Sequence, residues 1–144
     1  MKRSTWLPLV VLAVITVVSS LILLANRTEI PAAQDVTGKW TLVSGTDGGG
    51  VVDATGVNVT MELTSTTLSV KVCNSGGGDY SLNGSTFSVG QFASTMMYCS
   101  NPVGIMDIET RLFSIIEKST TLTIDGENLV MTGLQTQLLF EPTR

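Results

Sequence analysis

Cys73 and Cys99 are the two cysteines of this 144-residue chain, and they are its best candidates for covalent chemistry. In an oxidising compartment an even pair favours a disulfide, and two buried free thiols are the alternative. Thiol redox catalysis would need a base beside the thiolate or a C-x-x-C spacing, and neither feature is visible. A two-cysteine metal site would need further ligands, and the sequence offers none. The pair is therefore a disulfide candidate.

The chain contains no histidine, the commonest general base and the commonest metal ligand of proteins. A Ser-His-Asp triad, a Cys-His pair and a histidine-based zinc site are thereby excluded. The carboxylates are scattered over turns and one predicted helix, where Asp107 and Glu109 lie two positions apart and do not share a face. A glycosidase-like pair would have to be assembled across the fold. We expect no enzyme activity, no catalytic residue, no metal ligand and no cofactor.

The charge balance argues against nucleic acid as a partner. From Asp35 onward five basic side chains face eleven acidic ones, which gives a net charge of −6. A phosphate backbone would repel such a domain, and binding would gain nothing from counterion release.

Two short stretches resemble ligand loops and are predicted to be plain connections. Gly45–Gly56 contains three consecutive glycines, but neither a GK[ST] motif nor a helix follows, so we predict a loop and no phosphate cradle. Asp125–Asn128 (DGEN) lacks the spaced D-x-D-x-D ligands of a calcium loop, and Asp-Gly is typical of a hairpin turn.

The N-terminal part of the sequence is strongly apolar. Residues 6–25 carry no charge, and as a helix they would span roughly 30 Å, the thickness of a bilayer core. Two basic residues precede them, which predicts that residues 1–5 are cytoplasmic and that a single-pass signal anchor leaves the remainder outside the cytoplasm. A cleaved signal peptide is the alternative, and it would release a secreted or periplasmic domain. Residues 26–36 are predicted to be a short polar linker in either case.

The remaining sequence is predicted to be mainly β-structure with numerous turns. A first strand is predicted over Gly38–Ser44, and apolar and polar residues alternate from Val57 to Val72, as in a hairpin with one buried face. Phe92–Cys99 can form a further strand or an irregular edge. Composition predicts turns at Ser65–Thr67, Ser75–Asp79, Asn83–Gly84, Asp125–Gly126 and Thr132–Gly133.

One amphipathic helix is predicted over about Val103–Lys118. Its apolar residues recur at helical spacing and form one stripe, consisting of Ile105, Ile108, Leu112, Ile115 and Ile116. Asp107 in an early turn and Lys118 at the end complement the helix dipole. A single helix of this kind among strands is expected to bury its stripe against the sheet.

The combined pattern resembles the META domain (HslJ-like) family over about residues 37–141. The paired cysteine motifs followed by a helix are the most specific part of the resemblance. The residues that match family motifs are Trp40, Cys73, Asn74, Gly78, Tyr80, Thr95, Met96, Cys99 and Glu109.

The resemblance implies a curved antiparallel sheet, a partial barrel wrapped around one helix, and agrees with about eight strands expected from the alternation. It does not imply an enzyme. Family members are typically exported or envelope-associated and linked to stress, and their shape is similar to that of lipid-binding pilot proteins. We therefore expect a membrane-tethered, extracytoplasmic module that binds a protein partner or an apolar ligand. Met61, Met96 and Met97 are expected by default to pack in the core, although methionine-rich surface can also line an adaptable pocket. A structural envelope-protection module without a ligand and a hydrolase using scattered carboxylates are the alternatives.

Overall fold

The computed structural model describes residues 34–144. The predicted cytoplasmic residues 1–5, the predicted membrane anchor 6–25 and most of the predicted linker 26–36 lie outside the described residues and stay predictions. No helix within the described part is both long and apolar enough to cross a membrane.

Ten strands and one helix form the described part of the chain. They are β1 (Gly38–Asp47), β2 (Gly50–Val51), β3 (Thr60–Leu63), β4 (Thr67–Lys71), β5 (Ser75–Asn83), β6 (Thr86–Val89), β7 (Ala93–Ser94), α1 (Ile105–Lys118), β8 (Ser119–Asp125), β9 (Asn128–Gly133) and β10 (Thr136–Pro142).

Eight of the strands form a closed antiparallel barrel in the order β10-β9-β8-β6-β5-β4-β3-β1. The barrel closes because β1 is long enough to pair with two strands: Trp40 lies opposite Met61 of β3 and opposite Pro142 of β10. The strand β2 extends the sheet from β1, and β7 pairs with β5 outside the barrel order. The prediction of about eight antiparallel strands is confirmed, and the sheet closes completely where a partial barrel was expected.

Alternating burial sets the register of the strands, as the sequence predicts. In β3 the side chains of Met61 and Leu63 are buried while Glu62 between them is exposed, and Leu68 and Val70 of β4 continue the buried face. Because successive side chains of a strand point to opposite faces, the whole apolar set enters the barrel together. Burial of each such side chain contributes about 2 kcal/mol. The interior is filled by fully buried side chains, among them Leu129, Met131, Leu138, Phe140 and Ile116.

The helix α1 bridges the barrel, since it contacts β1 and β6, which lie on opposite sides of the strand order. All five residues of the predicted stripe are buried, so the prediction of a core helix is confirmed. The helix begins at Ile105, two residues after the predicted start. Gly104 before it has a φ of 88°, a left-handed conformation that glycine adopts readily.

The predicted turn at Ser75–Asp79 is wrong, because these residues begin β5 and pair with β4. Their glycines are needed for close packing. A Cβ at Gly77 would overlap the carbonyl oxygen of Leu68, and a Cβ at Gly78 would lie 2.5 Å from the carbonyl oxygen of Gln91. The glycine run therefore marks a place where neighbouring backbone segments approach too closely for side chains.

We expect Gly77→Ala to lower the free energy of unfolding by about 2 kcal/mol, because the new methyl group must push β4 away from β5. Gly48→Ala is the matched control, since a Cβ there meets only the side-chain oxygen of Gln135 at 3.5 Å. Urea denaturation of both variants and the wild-type protein measures the difference. Equal stability of the two variants would contradict the close-packing explanation.

Two predicted boundaries also differ from the structure. The predicted loop Gly45–Gly56 is ordered at its start, where β1 continues to Asp47 and pairs with β2. The predicted turn at Thr132–Gly133 lies two residues later, because β9 extends through Gly133 and Gln135 adopts the positive φ of 58° that reverses the chain. The hairpins predicted at Asn83–Gly84 and Asp125–Gly126 are confirmed, and their two-residue turns lie one position later, at Gly84–Ser85 and Gly126–Glu127.

Candidate functional site

Asn74 is the centre of a buried polar cluster that joins three parts of the chain. It lies just before β5 and is only 1% exposed. Its Nδ2 donates to Oε1 of Glu109 on α1 at 2.7 Å and to the carbonyl oxygen of Met97 at 2.9 Å. Its Oδ1 accepts from the backbone N–H of Met97 at 2.7 Å and from the hydroxyl of Thr95 at 3.0 Å. We call Asn74, Thr95, Met97 and Glu109 the Asn74 cluster.

Glu109 is a buried carboxylate without a basic partner. It is 6% exposed, and no lysine or arginine of residues 34–144 lies within ion-pair distance of it. Its Oε2 accepts from the backbone N–H of Asn74 at 2.5 Å, so both carboxylate oxygens are bonded to the same residue. Since a buried charge needs hydrogen-bond donors, Asn74 fixes the position of α1 against the start of β5.

The predicted disulfide between Cys73 and Cys99 is confirmed, and the alternative of two free thiols is wrong. The two Cα atoms are 6.2 Å apart, within the usual range for such a bond. Cys73 adjoins Asn74, and Cys99 follows two residues after Met97. The segment 95–99 is therefore held at one end by the disulfide and in its middle by the Asn74 cluster.

A groove of about 620 Å³ lies between the segment 92–98 and one side of α1. Most of its apolar lining consists of methionine and aromatic side chains: Phe92, Met96, Met97, Tyr98, Met106 and Phe113. The rings of Phe92 and Phe113 pack edge to face, with centroids 5.2 Å apart. We call this feature the Met–aromatic groove.

The rim of this groove exposes large apolar side chains. Met96 is 95% exposed, Tyr98 85% and Met97 57%. The charged side chains that line the groove are both acidic, the buried Glu109 and the exposed Glu117. Contiguous exposed apolar surface of this kind marks interaction sites on soluble domains.

The residues of the family motif separate into two groups in space. Cys73, Asn74, Thr95, Met96, Cys99 and Glu109 meet at the groove and the cluster behind it. Trp40 and Tyr80 lie elsewhere and support the barrel, while Gly78 lies in β5 against the backbone of Gln91 and Phe92, where the groove segment begins. The indole of Trp40 donates to the carbonyl oxygen of Val36 at 3.0 Å, and the hydroxyl of Tyr80 donates to the backbone carbonyl oxygen of Thr64 at 2.6 Å. Burial raises the pKa of Tyr80, with a smaller contribution from the negative charge of Asp35.

Sequence reasoning missed several groove residues and misplaced two methionines. Phe92, Met106, Phe113 and Glu117 line the groove, and no motif singled them out. Phe113 stands at the edge of the helical stripe, which is the one signal that could have placed it beside the core rather than within it. Core packing, the default expectation for three methionines, is confirmed for Met61 and is wrong for Met96 and Met97, which are exposed.

A second contact, the ion pair between Arg111 of α1 and Asp47 of β1, also holds the helix in place. The guanidinium of Arg111 bonds both carboxylate oxygens of Asp47, at 2.8 and 2.9 Å. This arginine, helped by the backbone N–H of Gly49, lowers the pKa of Asp47 to about 2. The predicted loop Gly45–Gly56 thus anchors α1 to the end of β1.

Within residues 34–144 no group of three histidine, cysteine or acidic side chains could hold a metal ion.

The fold and this cluster define a small disulfide-linked antiparallel barrel bridged by one helix. The chain belongs to the META domain family, whose model matches residues 34–144. No curated protein matches the chain in sequence.

Three solved structures are similar to it. A protein from Burkholderia xenovorans, determined by NMR, is 18% identical with a TM-score of 0.57, covering 74% of this chain and 81% of that one. A second NMR structure is 16% identical with a TM-score of 0.56, covering 72% and 87%. A DUF4847 family protein from Bacteroides vulgatus, determined by crystallography, is 13% identical with a TM-score of 0.54, covering 74% and 93%. At these identities the likeness concerns the fold alone.

Proposed function

We propose that this protein is a non-enzymatic binding module that takes an apolar ligand, or an apolar part of a protein partner, into the Met–aromatic groove. One observation carries the proposal. Met96 and Tyr98 project into solvent from a segment whose intervening residue, Met97, is fixed by Asn74.

The anchored backbone explains how apolar surface can stay exposed. A free loop would fold its methionine and tyrosine side chains onto the nearest apolar surface, which hydrophobic burial favours. Here the disulfide at Cys99 and the bonds at Met97 restrict that collapse. A binding surface that is held in place loses less conformational entropy when it is occupied, and methionine side chains adapt to varied shapes.

The polar groups of the groove support binding rather than hydrolysis. The carboxylate of Glu109 and the amide of Asn74 are bonded to each other and to the backbone, so they form a structural unit. Ligand uptake inside the barrel receives no support, since its interior is filled by fully buried side chains. The groove outside the barrel is the better candidate.

The proposal places the domain in the cell envelope, outside the cytoplasm. The support comes from the uncharged residues 6–25, typical of a membrane anchor, and from the disulfide, typical of an oxidising compartment. A tethered domain with a binding groove suits an envelope or stress-related role. A structural module without any ligand is the competing function, and it differs in predicting an unoccupied groove.

The methionines themselves provide the test. Met96, Met97 and Met106 line the groove, while Met61 and Met131 are buried in the barrel. We would label the methionine methyl groups of the full chain with carbon-13, reconstitute it in zwitterionic nanodiscs and titrate it with a capped apolar peptide and, separately, with octanoate. We expect at least one probe to shift the groove methyl signals while the two core methyl signals stay in place.

A pair of exposed residues supplies matched variants. Met96→Ser removes groove surface and is expected to weaken binding about fivefold, equivalent to roughly 1 kcal/mol of lost apolar contact. Leu134→Ser removes an apolar side chain that is 90% exposed and lies outside the groove, and it should leave binding unchanged. If neither probe moves a groove methyl signal at millimolar concentration, the structural module without a ligand is the better description.

A further inference from the structure

The backbone of the segment 95–98 is bonded on one side only. The N–H of Thr95 donates to the carbonyl oxygen of Ser75 at 3.0 Å, and both backbone polar groups of Met97 bond to Asn74. Among residues 34–144, no hydrogen bond engages the backbone N–H or carbonyl group of Met96 or Tyr98. Residues whose backbone is hydrogen-bonded, Thr95 and Met97, therefore alternate with residues whose backbone is not, Met96 and Tyr98.

This segment continues β7, which has one sheet neighbour in the described part of the chain. Ser94 lies opposite Gly76 of β5, and no described strand covers the other edge of β7. Exposed strand edges present unpaired N–H and carbonyl groups that readily accept another strand. The free edge runs beside the Met–aromatic groove, so one ligand can reach both.

We propose, on the basis of the function proposed above, that the occupant of the groove is an extended polypeptide segment. It pairs its main chain with Met96 and Tyr98 and seats alternate apolar side chains beside Phe92 and Phe113. A lipid chain could fill the apolar groove, but it would leave the backbone groups of the edge without partners. Strand addition satisfies the backbone and fills the groove at once.

The charged side chains of the groove indicate which charge a peptide partner should carry. Its charged side chains are Glu109, already bonded to Asn74, and Glu117, which forms no ion pair with the residues of the described part. The part of the chain from Asp35 onward carries a net charge of −6. Charge complementarity therefore favours a segment in which apolar residues alternate with lysine or arginine.

The test uses a capped peptide of about nine residues in which valine and lysine alternate, a length typical of a strand with its flanks. Its matched control carries N-methyl groups on alternate residues, which remove main-chain donors and keep every side chain. The full chain in zwitterionic nanodiscs serves as the receptor, and the methionine methyl signals report occupancy of the groove. We expect the unmodified peptide to shift Met96, Met97 and Met106, and to slow hydrogen exchange at the amides of Met96 and Tyr98. The N-methylated peptide should bind at least tenfold more weakly, as expected when two or more hydrogen bonds are lost.

Variants of exposed acids test the charge preference. Glu117→Gln should weaken binding of the peptide about threefold, an effect that added salt diminishes. Glu127→Gln is the control, because this residue is exposed in the turn between β8 and β9 and does not line the groove. An equal loss in both variants would overturn the assignment of Glu117 as the charge-reading residue.

The outcomes separate this inference from the function on which it rests. Equal binding of both peptides at the groove would overturn strand pairing and leave the groove as a binding site. Octanoate binding without peptide binding would overturn a polypeptide occupant and again leave the groove. Failure of every probe to shift a groove methyl signal would overturn both.

Discussion

Replacing Glu109 with alanine is expected to lower the free energy of unfolding by about 3 kcal/mol, among the largest effects of any single substitution in this protein. The carboxylate is buried and accepts the backbone N–H and the side-chain amide of Asn74. Its removal takes the acceptor from the backbone N–H of Asn74, a residue that is only 1% exposed, and breaks two charge-assisted hydrogen bonds. For a domain of this size the melting temperature should fall by roughly 15 °C.

Two further substitutions separate the charge from the shape of this side chain. Glu109→Gln keeps the shape and one acceptor, but it turns an amide NH₂ or a weaker acceptor toward the backbone N–H of Asn74. We expect a loss of about 1.5 kcal/mol. Glu117→Ala on the same helix is the control, since this exposed side chain should change stability by less than about 0.5 kcal/mol. Urea denaturation of the variants measures all three effects.

A double-mutant cycle tests whether Glu109 and Asn74 act as one unit. In the cluster each side chain satisfies the other, so the combined loss of Glu109→Ala and Asn74→Ala should be smaller than the sum of the single losses by about 1–2 kcal/mol. Additive losses would contradict the cluster as described. The Asn74→Ala variant should also speed hydrogen exchange at the amide of Met97, which loses its acceptor.

Removal of the disulfide is expected to lower the free energy of unfolding by an amount similar to that for Glu109→Ala, for a different reason. Cys73 and Cys99 are separated by 26 positions, and the chain-entropy model gives about 3.5 kcal/mol for a loop of that length. The double variant Cys73→Ala/Cys99→Ala avoids a stray free thiol. Its unfolding midpoint should fall well below that of the wild-type protein in buffer without reductant.

Reduction of the wild-type protein supplies the internal control for this prediction. Dithiothreitol should lower the stability of the wild-type protein toward that of the double variant and leave the variant itself unchanged. Mass spectrometry of the untreated protein should give a mass lower than that of the reduced chain by two hydrogen atoms. A stable protein that is indifferent to reductant and carries two alkylatable thiols would contradict the disulfide.

The disulfide and the Asn74 cluster act on the same segment, and the loss of each has a different consequence for binding. Both hold residues 95–99 in place, but the disulfide also restricts the unfolded chain, whereas the Asn74 cluster acts only in the folded state. For the same loss of stability, Asn74→Ala should therefore weaken probe binding at the groove more than removal of the disulfide does. The methionine methyl signals of Met96 and Met97 report this difference directly.

Local pattern in the sequence predicted the secondary structure well. The alternation around Met61 and Leu68, the helical stripe ending at Ile116 and the hairpin at Asn83–Gly84 each depend on residues close in the chain, and each is present in the structure. The turn predicted from the glycine run at Ser75–Asp79 is wrong for a physical reason. Glycine permits both a turn and a close backbone contact, and only the position of Leu68 and Gln91 decides between the two.

The sequence by itself determined the class of the protein: mainly β-structure, one buried helix, two cysteines suited to a disulfide and no histidine for catalysis. Resemblance to a family pointed to Asn74 and Glu109, but nothing in the sequence stated that they bond to each other. The tertiary structure decided that pairing, the closure of β1 on β10 and the exposure of Met96 and Tyr98 beside a groove. These features depend on contacts between residues far apart in the chain, and no local periodicity records which distant groups will satisfy a buried polar atom or leave an apolar side chain uncovered.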